Sequence, residues 1–344
     1  MQQMTALGAD WWNDSCDLNE LSEAVSCGAV GATSNPVIVS SVLAAAPATW
    51  NPVLDRIIRD HATWTEDEIA WELVHEVSRQ AAPVLQPVFA RTKGEKGFLS
   101  VQVSSKFYPS CERMVQQGQF LSSLGPNIAI KAPAVAAGIA AMEELSARGV
   151  RINATVSFSV AQAVACAEAI ERGLKRAPRA GADVHPYVTI MIGRVDDHLK
   201  RVRERDNITV ETDCLDWAGI AVFRRAAQVF RERGYRATLL AAAYRNEGHW
   251  REVIGRDVLQ TIPYKWWKQY DAAEQEVRLT IDDAIDPACI AELRAKFPDF
   301  VAAYDEAGMT PDQFVRYGAT IATLQQFLGG FDQLLAMVRR RMLG

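Results

Sequence analysis

Residues 127–163 read NIAIKAPAVAAGIAAMEELSARGVRINATVSFSVAQA. A short apolar run, Asn127–Lys131, leads into an amphipathic stretch at Gly138–Arg148. A second β-rich run follows at Arg151–Ser157, then a helical stretch at Val160–Leu174 that Ser159 opens as an N-cap. Strand, helix, strand, helix is the unit from which parallel sheets are built. Working outward, the same alternation predicts strands at Ala9–Asp14, Ala29–Thr33 and Gly97–Ser104 on the N-terminal side. On the C-terminal side it predicts Tyr187–Gly193, Arg236–Ala243 and Val258–Ile262. Eight parallel strands with intervening helices close most economically into a (β/α)8 barrel of the TIM class.

Two regions exceed the repeat. Residues 37–96 hold more than one helix between strands two and three, Glu66–Gln80 being the clearest. Residues 271–344 follow the last strand and read as a helical C-terminal extension ending in Gly318–Met342. That tail is either a packing element or oligomer contact, or a lid over the barrel mouth. Neither an internal repeat nor a Gly/Ser linker interrupts the pattern, so residues 1–344 are expected to form a single barrel domain.

Composition narrows the function. Hydrophobic residues make up 49% and charged residues 23% of the chain, enough to bury a large core. Net charge is −5, with no basic stripe of the kind a nucleic-acid binder carries. The densest basic stretch, Lys200–Arg205, reads as a solvated helix face. The six cysteines are scattered without a Cys-x-x-Cys pair, which fits reduced thiols in a cytoplasmic protein. The start, MQQMTALGADWW, lacks the pattern of a signal peptide, and no apolar run approaches the roughly 18 residues of a membrane helix. The five histidines lack metal-ligand spacing, so neither a metal nor another cofactor is expected.

In a barrel of this class, chemistry gathers where strands end at the C-terminal face. That rule singles out Asp14 after the first strand, Thr33, Ser34 and Asn35 after the second, Gln102 on the third and Lys131 on the fourth. Asn153, Thr155 and Ser157 follow from the fifth, Arg194 from the sixth and Arg245 from the seventh. In NIAIKAP, alternation sends Ile128 and Ile130 to one face, Ala129 and Lys131 to the other. The bulky pair packs against the helix layer, so Lys131 points into the barrel, where burial lowers an amine's pKa and frees it to attack a ketone. The structural alternative is a lysine paired with a carboxylate, for which Asp14 is available. Arg194 and Arg245 stand just beyond two late strands, where guanidinium groups suit a phosphate or lie as ordinary surface charge. The amides and hydroxyls of Asn35, Gln102, Asn153 and Thr155 need partners, which a sugar polyol and an ordered water would supply. Mutual pairing or backbone capping would serve equally.

Several of these segments resemble one family. GATSNPVIV (31–39) looks like the Gly-x-Thr-Ser/Thr-Asn-Pro segment of transaldolases, and 127–163 is similar to that family's lysine strand and the Asn-x-Thr strand after it. IGRVDD (192–197) and YRN (244–246) resemble its two arginine segments. The resemblance implies a cofactor-free (β/α)8 barrel in the pentose phosphate pathway of carbohydrate metabolism. Its reaction moves a dihydroxyacetone unit from a ketose phosphate to an aldose phosphate. By position it makes Lys131 the Schiff-base lysine and Asp14 the acid/base group. Asn35 and Asn153 would hold the dihydroxyacetone hydroxyls, Thr155 would help bind the catalytic water, and Arg194 and Arg245 would bind phosphate.

Three positions depart from the family pattern. Gln102 stands where most transaldolases carry a glutamate, as in the small fructose-6-phosphate aldolases of the same superfamily. Ala243 replaces a phosphate-binding serine, and Met191 replaces an aromatic residue. The expected partners are therefore small sugar phosphates, with no nucleic acid or membrane and with a homo-oligomer left open. The rival readings are an aldolase releasing free dihydroxyacetone and a catalytically quiet sugar-phosphate-binding barrel.

Overall fold

The computed structural model describes residues 1–177, 184–210, 213–273 and 275–344. Its eight strands are β1 (Asp10–Asn13), β2 (Gly31–Thr33), β3 (Phe98–Gln102), β4 (Ile128–Pro133), β5 (Ile152–Thr155), β6 (Tyr187–Met191), β7 (Thr238–Ala242) and β8 (Val258–Ile262). Each runs parallel to its neighbours in sequence, and β8 pairs with β1, so the sheet closes into the expected (β/α)8 barrel.

The strand ends differ from the sequence expectation in ways that matter for the site. Lys131 lies two residues inside β4 rather than at its end, because the ladder continues with Ala132 opposite Ala154 and Pro133 opposite Thr155. The sixth strand stops at Met191 instead of Gly193. From there Ile192, Val195, Leu199 and Val202 are buried at helical spacing, so helix Ile192–Asp206 starts early and Arg194 occupies its first turn. Ser157 lies two residues past the end of β5, and Asp14 one past β1.

Aromatic side chains fill the N-terminal end of the barrel. The Trp12 indole meets the Tyr187 ring edge-on at 4.7 Å between centroids, and the Arg151 guanidinium sits 3.9 Å over Phe98. Gly31 is where β2 passes that indole: a Cβ there would lie 2.5 Å from it. The polar interior therefore sits above this floor, toward the C-terminal face.

Four α-helices (Pro36–Ala45, Pro47–Asp60, Glu66–Ala81 and Gln86–Arg91) occupy the long β2–β3 connection. Thr65 and Glu68 form a capping box at the start of the third, and Ser159 caps Val160–Arg176 by accepting from the Gln162 N–H at 3.1 Å. After β8 come helices Tyr264–Ala272, Pro287–Lys296, Pro298–Tyr304, Pro311–Phe314 and Gly318–Leu343. The last of these crosses the C-terminal face. Tyr317 at its start packs near Phe158 after β5, Gln326 bonds Arg194 after β6, and Phe331 lies under Lys106 after β3. Among the described residues no single helix is long and apolar enough to cross a membrane.

Gly31→Ala should cost about 1–3 kcal/mol of unfolding free energy, as expected for overpacking. Adding Trp12→Phe should recover part of the loss in a urea titration. No loss in the single variant would contradict a tight approach of β2 to the indole.

Candidate active site

Strand register assembles the site. Gln102 of β3 is the direct neighbour of Lys131 on β4, which in turn neighbours Asn153 on β5. In parallel strands such neighbours share a face, so all three side chains enter the barrel together. One layer below, the Asn153 amide donates to Ser100 Oγ at 3.0 Å and its carbonyl accepts from Thr189 Oγ1 at 2.7 Å. The small Ala129, in register with Ser100, leaves room for that reach across β4. Asn153 is thus locked on both sides beneath the lysine.

Lys131 is 4% exposed. Among the described residues its Nζ makes no hydrogen bond and no ion pair, so the paired-lysine alternative fails. Burial holds its pKa below the ordinary value, with the Asp14 carboxylate the opposing influence. For Asp14 the balance runs the other way: burial raises its pKa, while Lys131, the Thr33 hydroxyl and Arg194 restrain the rise. Thr33 Oγ1 donates to Asp14 Oδ1, and Thr261 on β8 lies 3.0 Å from Thr33 Oγ1. Since Thr33 has one proton, Thr261 must be the donor in that second contact, and a two-hydroxyl chain fixes the carboxylate.

Opposite Asp14 lie polar atoms with nothing to bind. Gln102 uses its amide nitrogen on Ser105 Oγ at 3.2 Å, but its Oε1 is buried without a partner. The hydroxyls of Thr155 and Ser157 are also buried and unpartnered. Between them Val156 has φ +54°, an unfavourable region for a β-branched residue. Buried polar groups are almost always hydrogen-bonded, so this cluster is built to meet a polar guest.

The two arginines come together at the rim. Burial and the neighbouring Arg245 both push the Arg194 guanidinium below its usual pKa, and its Nε is buried without a partner. Arg245 holds Asp197 through Nε (3.0 Å) and Nη2 (2.9 Å). Its backbone N–H donates to His249 Nδ1 at 2.9 Å, so His249 carries its proton on Nε2, 2.6 Å from Asp196 Oδ2. Asp196 and His249 are fully buried and tie the two arginine segments to each other. Arg194 and Arg245 act on each other's charge, with Asp197 opposing both and Asp14 opposing Arg194, and their guanidinium groups have the shape to grip an anion.

Two expected residues are partly committed elsewhere. The Ser34 hydroxyl donates to the Ser100 carbonyl at 3.1 Å, and Asn35 Oδ1 caps helix Pro36–Ala45 by accepting from Ile38 N at 2.9 Å. The Asn35 amide nitrogen has no partner among the described residues. Sequence reasoning missed Thr261, Ser100, Thr189, Ser105, Asp196, His249 and Gln326. The alternation rule that found Thr155 would have found Thr261, one strand-period above Leu259. His249 carried no local signal, since its partner Asp196 lies 53 residues away in the chain. Among the described residues no group of three or more His, Cys, Asp or Glu side chains gathers as a metal cage.

The sequence profile described as transaldolase/fructose-6-phosphate aldolase matches residues 11–336. The chain belongs to that family. It is 26% identical to a transaldolase of Thiobacillus denitrificans, with 98% of this chain and 99% of the relative aligned. A transaldolase of Thermobifida fusca is 29% identical over 58% of this chain and 57% of its own length. Transaldolase 1 of Streptomyces avermitilis is 28% identical over 62% and 58%.

Replacing Asp14 with Asn should move the titration of Lys131 further down. The free-amine fraction grows as pH rises through the lysine's pKa, and the Asp14 charge is the influence that raises this pKa. Competitive acetic anhydride labelling of Lys131 across pH measures it. A midpoint that stays put or moves up would contradict an electrostatic hold of Asp14 on the amine.

Proposed function

We propose that this chain is a transaldolase that moves a dihydroxyacetone unit from a ketose phosphate to an aldose phosphate through a Schiff base on Lys131. The observation that carries this reading is the buried Lys131 amine, without a partner and beside a carboxylate whose pKa is raised. The neutral amine attacks the donor ketone, and loss of water gives an iminium that acts as electron sink. Asp14 takes the proton of the sugar hydroxyl as the carbon–carbon bond breaks, and the Thr261–Thr33 chain keeps its carboxylate aimed. Asn153 and the Asn35 amide hold the dihydroxyacetone hydroxyls. Gln102 Oε1 and Thr155 Oγ1 take the water that later hydrolyses the imine, and Arg194 and Arg245 take the phosphate. Thr33 and Ser34 contribute by holding Asp14 and the β2 end in place, and Ser157 by meeting a substrate hydroxyl.

Residues 1–344 are read as one barrel domain whose C-terminal helices complete the site. The relatives' names support a place in the pentose phosphate pathway, and six cysteines without a disulfide support a reducing, cytoplasmic setting.

The test supplies fructose 6-phosphate with and without an aldose phosphate acceptor. Transfer product should greatly exceed free dihydroxyacetone, and Lys131→Met should lose about three orders of magnitude or more in rate while staying folded. Free dihydroxyacetone as the main product at saturating acceptor would replace the transferase reading with an aldolase. Gln102→Glu restores the residue that most transaldolases carry and, by that resemblance, should raise the ratio of transfer product to free dihydroxyacetone; general acid–base effects of ~10²–10⁴-fold make such a shift visible. An unchanged ratio would make Gln102 a structural amide.

A further inference from the structure

Helix Gly318–Leu343 is pinned at both ends across the barrel mouth. At its start Gly318 lies flat against the His198 ring, which a Cβ would strike, and Tyr317 stacks edge-on to the same ring at 5.1 Å. Further along, Gly330 rides on the Val37 backbone, with a Cβ position 3.0 Å from Val37 N and Cα. Beyond that point Arg341 holds Asp55 at 2.5–2.6 Å, and Arg339 holds Glu66. The first turns of the helix are therefore fixed over the segments that follow β5 and β6. There Thr320 and Thr323, one turn apart on its buried face, are 0% exposed with hydroxyls that have no partner. The next turn brings Gln326, whose Oε1 accepts from Arg194 Nη2.

We propose that Gln326 is an anion-site residue supplied by the C-terminal helix. The proposal rests on the reading of Arg194 and Arg245 as phosphate ligands. Gln326 does two things. Its Oε1 sets the plane of a guanidinium whose Nε is buried and otherwise unbound, and its Nε2, on an exposed residue at the rim, donates to the same anion. The bound group is a phosphate monoester at the end of a short sugar. At the strand ends beside this rim Met191 and Ala243 offer no side-chain donor, so the helix supplies what the barrel does not.

The test uses the full chain with Gln326→Leu, Gln326→Glu and Arg194→Ala. The readouts are inhibition by inorganic phosphate and the ratio of kcat/KM for fructose 6-phosphate to that for unphosphorylated fructose. Gln326→Leu should raise the phosphate Ki and lower that ratio about tenfold, the worth of one good hydrogen bond. The loss should fall on KM rather than kcat. Gln326→Glu should be worse than Leu, because it sets a carboxylate against the anion, and raised salt should narrow that difference. Both variants within twofold of the parent, while Arg194→Ala raises the phosphate Ki, would overturn the role of Gln326 alone. An unmoved Ki in Arg194→Ala would overturn the anion site and this proposal together. Equal losses on phosphorylated and unphosphorylated ketose would make Gln326 a packing residue and also overturn the proposal.

Discussion

An amine taken out of water without an acceptor is costly as a cation and tolerable as a base, and the interior of this barrel is arranged around that imbalance. Lys131 is buried, with Asn153 clamped below it and Gln102 beside it, and among the described residues the charged group acting on it is Asp14. A direct Lys131–Asp14 ion pair would hold the amine as an ammonium ion and leave no nucleophile. Holding the carboxylate on Thr33 and Thr261 keeps it close enough to act on the lysine's charge and prevents that collapse. The hydroxyl chain is thus as much a part of the nucleophile as the amine.

The remainder of the architecture serves this pair. The Trp12–Tyr187 layer fills the lower barrel and confines the polar interior to the upper part. Val156 at φ +54° and Ala243 at φ +67° turn the chain sharply beyond β5 and β7, next to Thr155 and Ser157 in one case and Arg245 in the other. Non-glycine residues in that region cost of order 1–3 kcal/mol each. The buried Asp196–His249 pair offsets part of this by anchoring the Arg245 backbone to the Arg194 helix.

Much of this was legible in the sequence, for identifiable reasons. Strand alternation in NIAIKAP placed Lys131 inward because two isoleucines demanded the helix layer, and the strand–helix rhythm located all eight strands. The ends were read less well. Helical burial of Ile192, Val195 and Leu199 outweighed the β-like run that continues in sequence to Gly193, and this put Arg194 in the first turn of a helix. Contacts between distant segments left no local trace at all. Gln326 meets Arg194 across 132 residues of chain, and Thr261 reaches Thr33 across 228. Neither follows from spacing, though the inward phase of β8 marked Thr261 as a candidate. The tail, open between lid and packing element on sequence alone, covers the mouth because Gly330 lets it close onto Val37.

The central claim is that Lys131 alone forms the covalent intermediate, and trapping it is the most direct measurement. Borohydride added during turnover of fructose 6-phosphate reduces the imine to a stable secondary amine, and peptide mapping by mass spectrometry then finds the bound carbons. The account predicts one labelled peptide, containing Lys131, with label and loss of activity rising together to one per chain. Label on another lysine, or inactivation without label on Lys131, would contradict it.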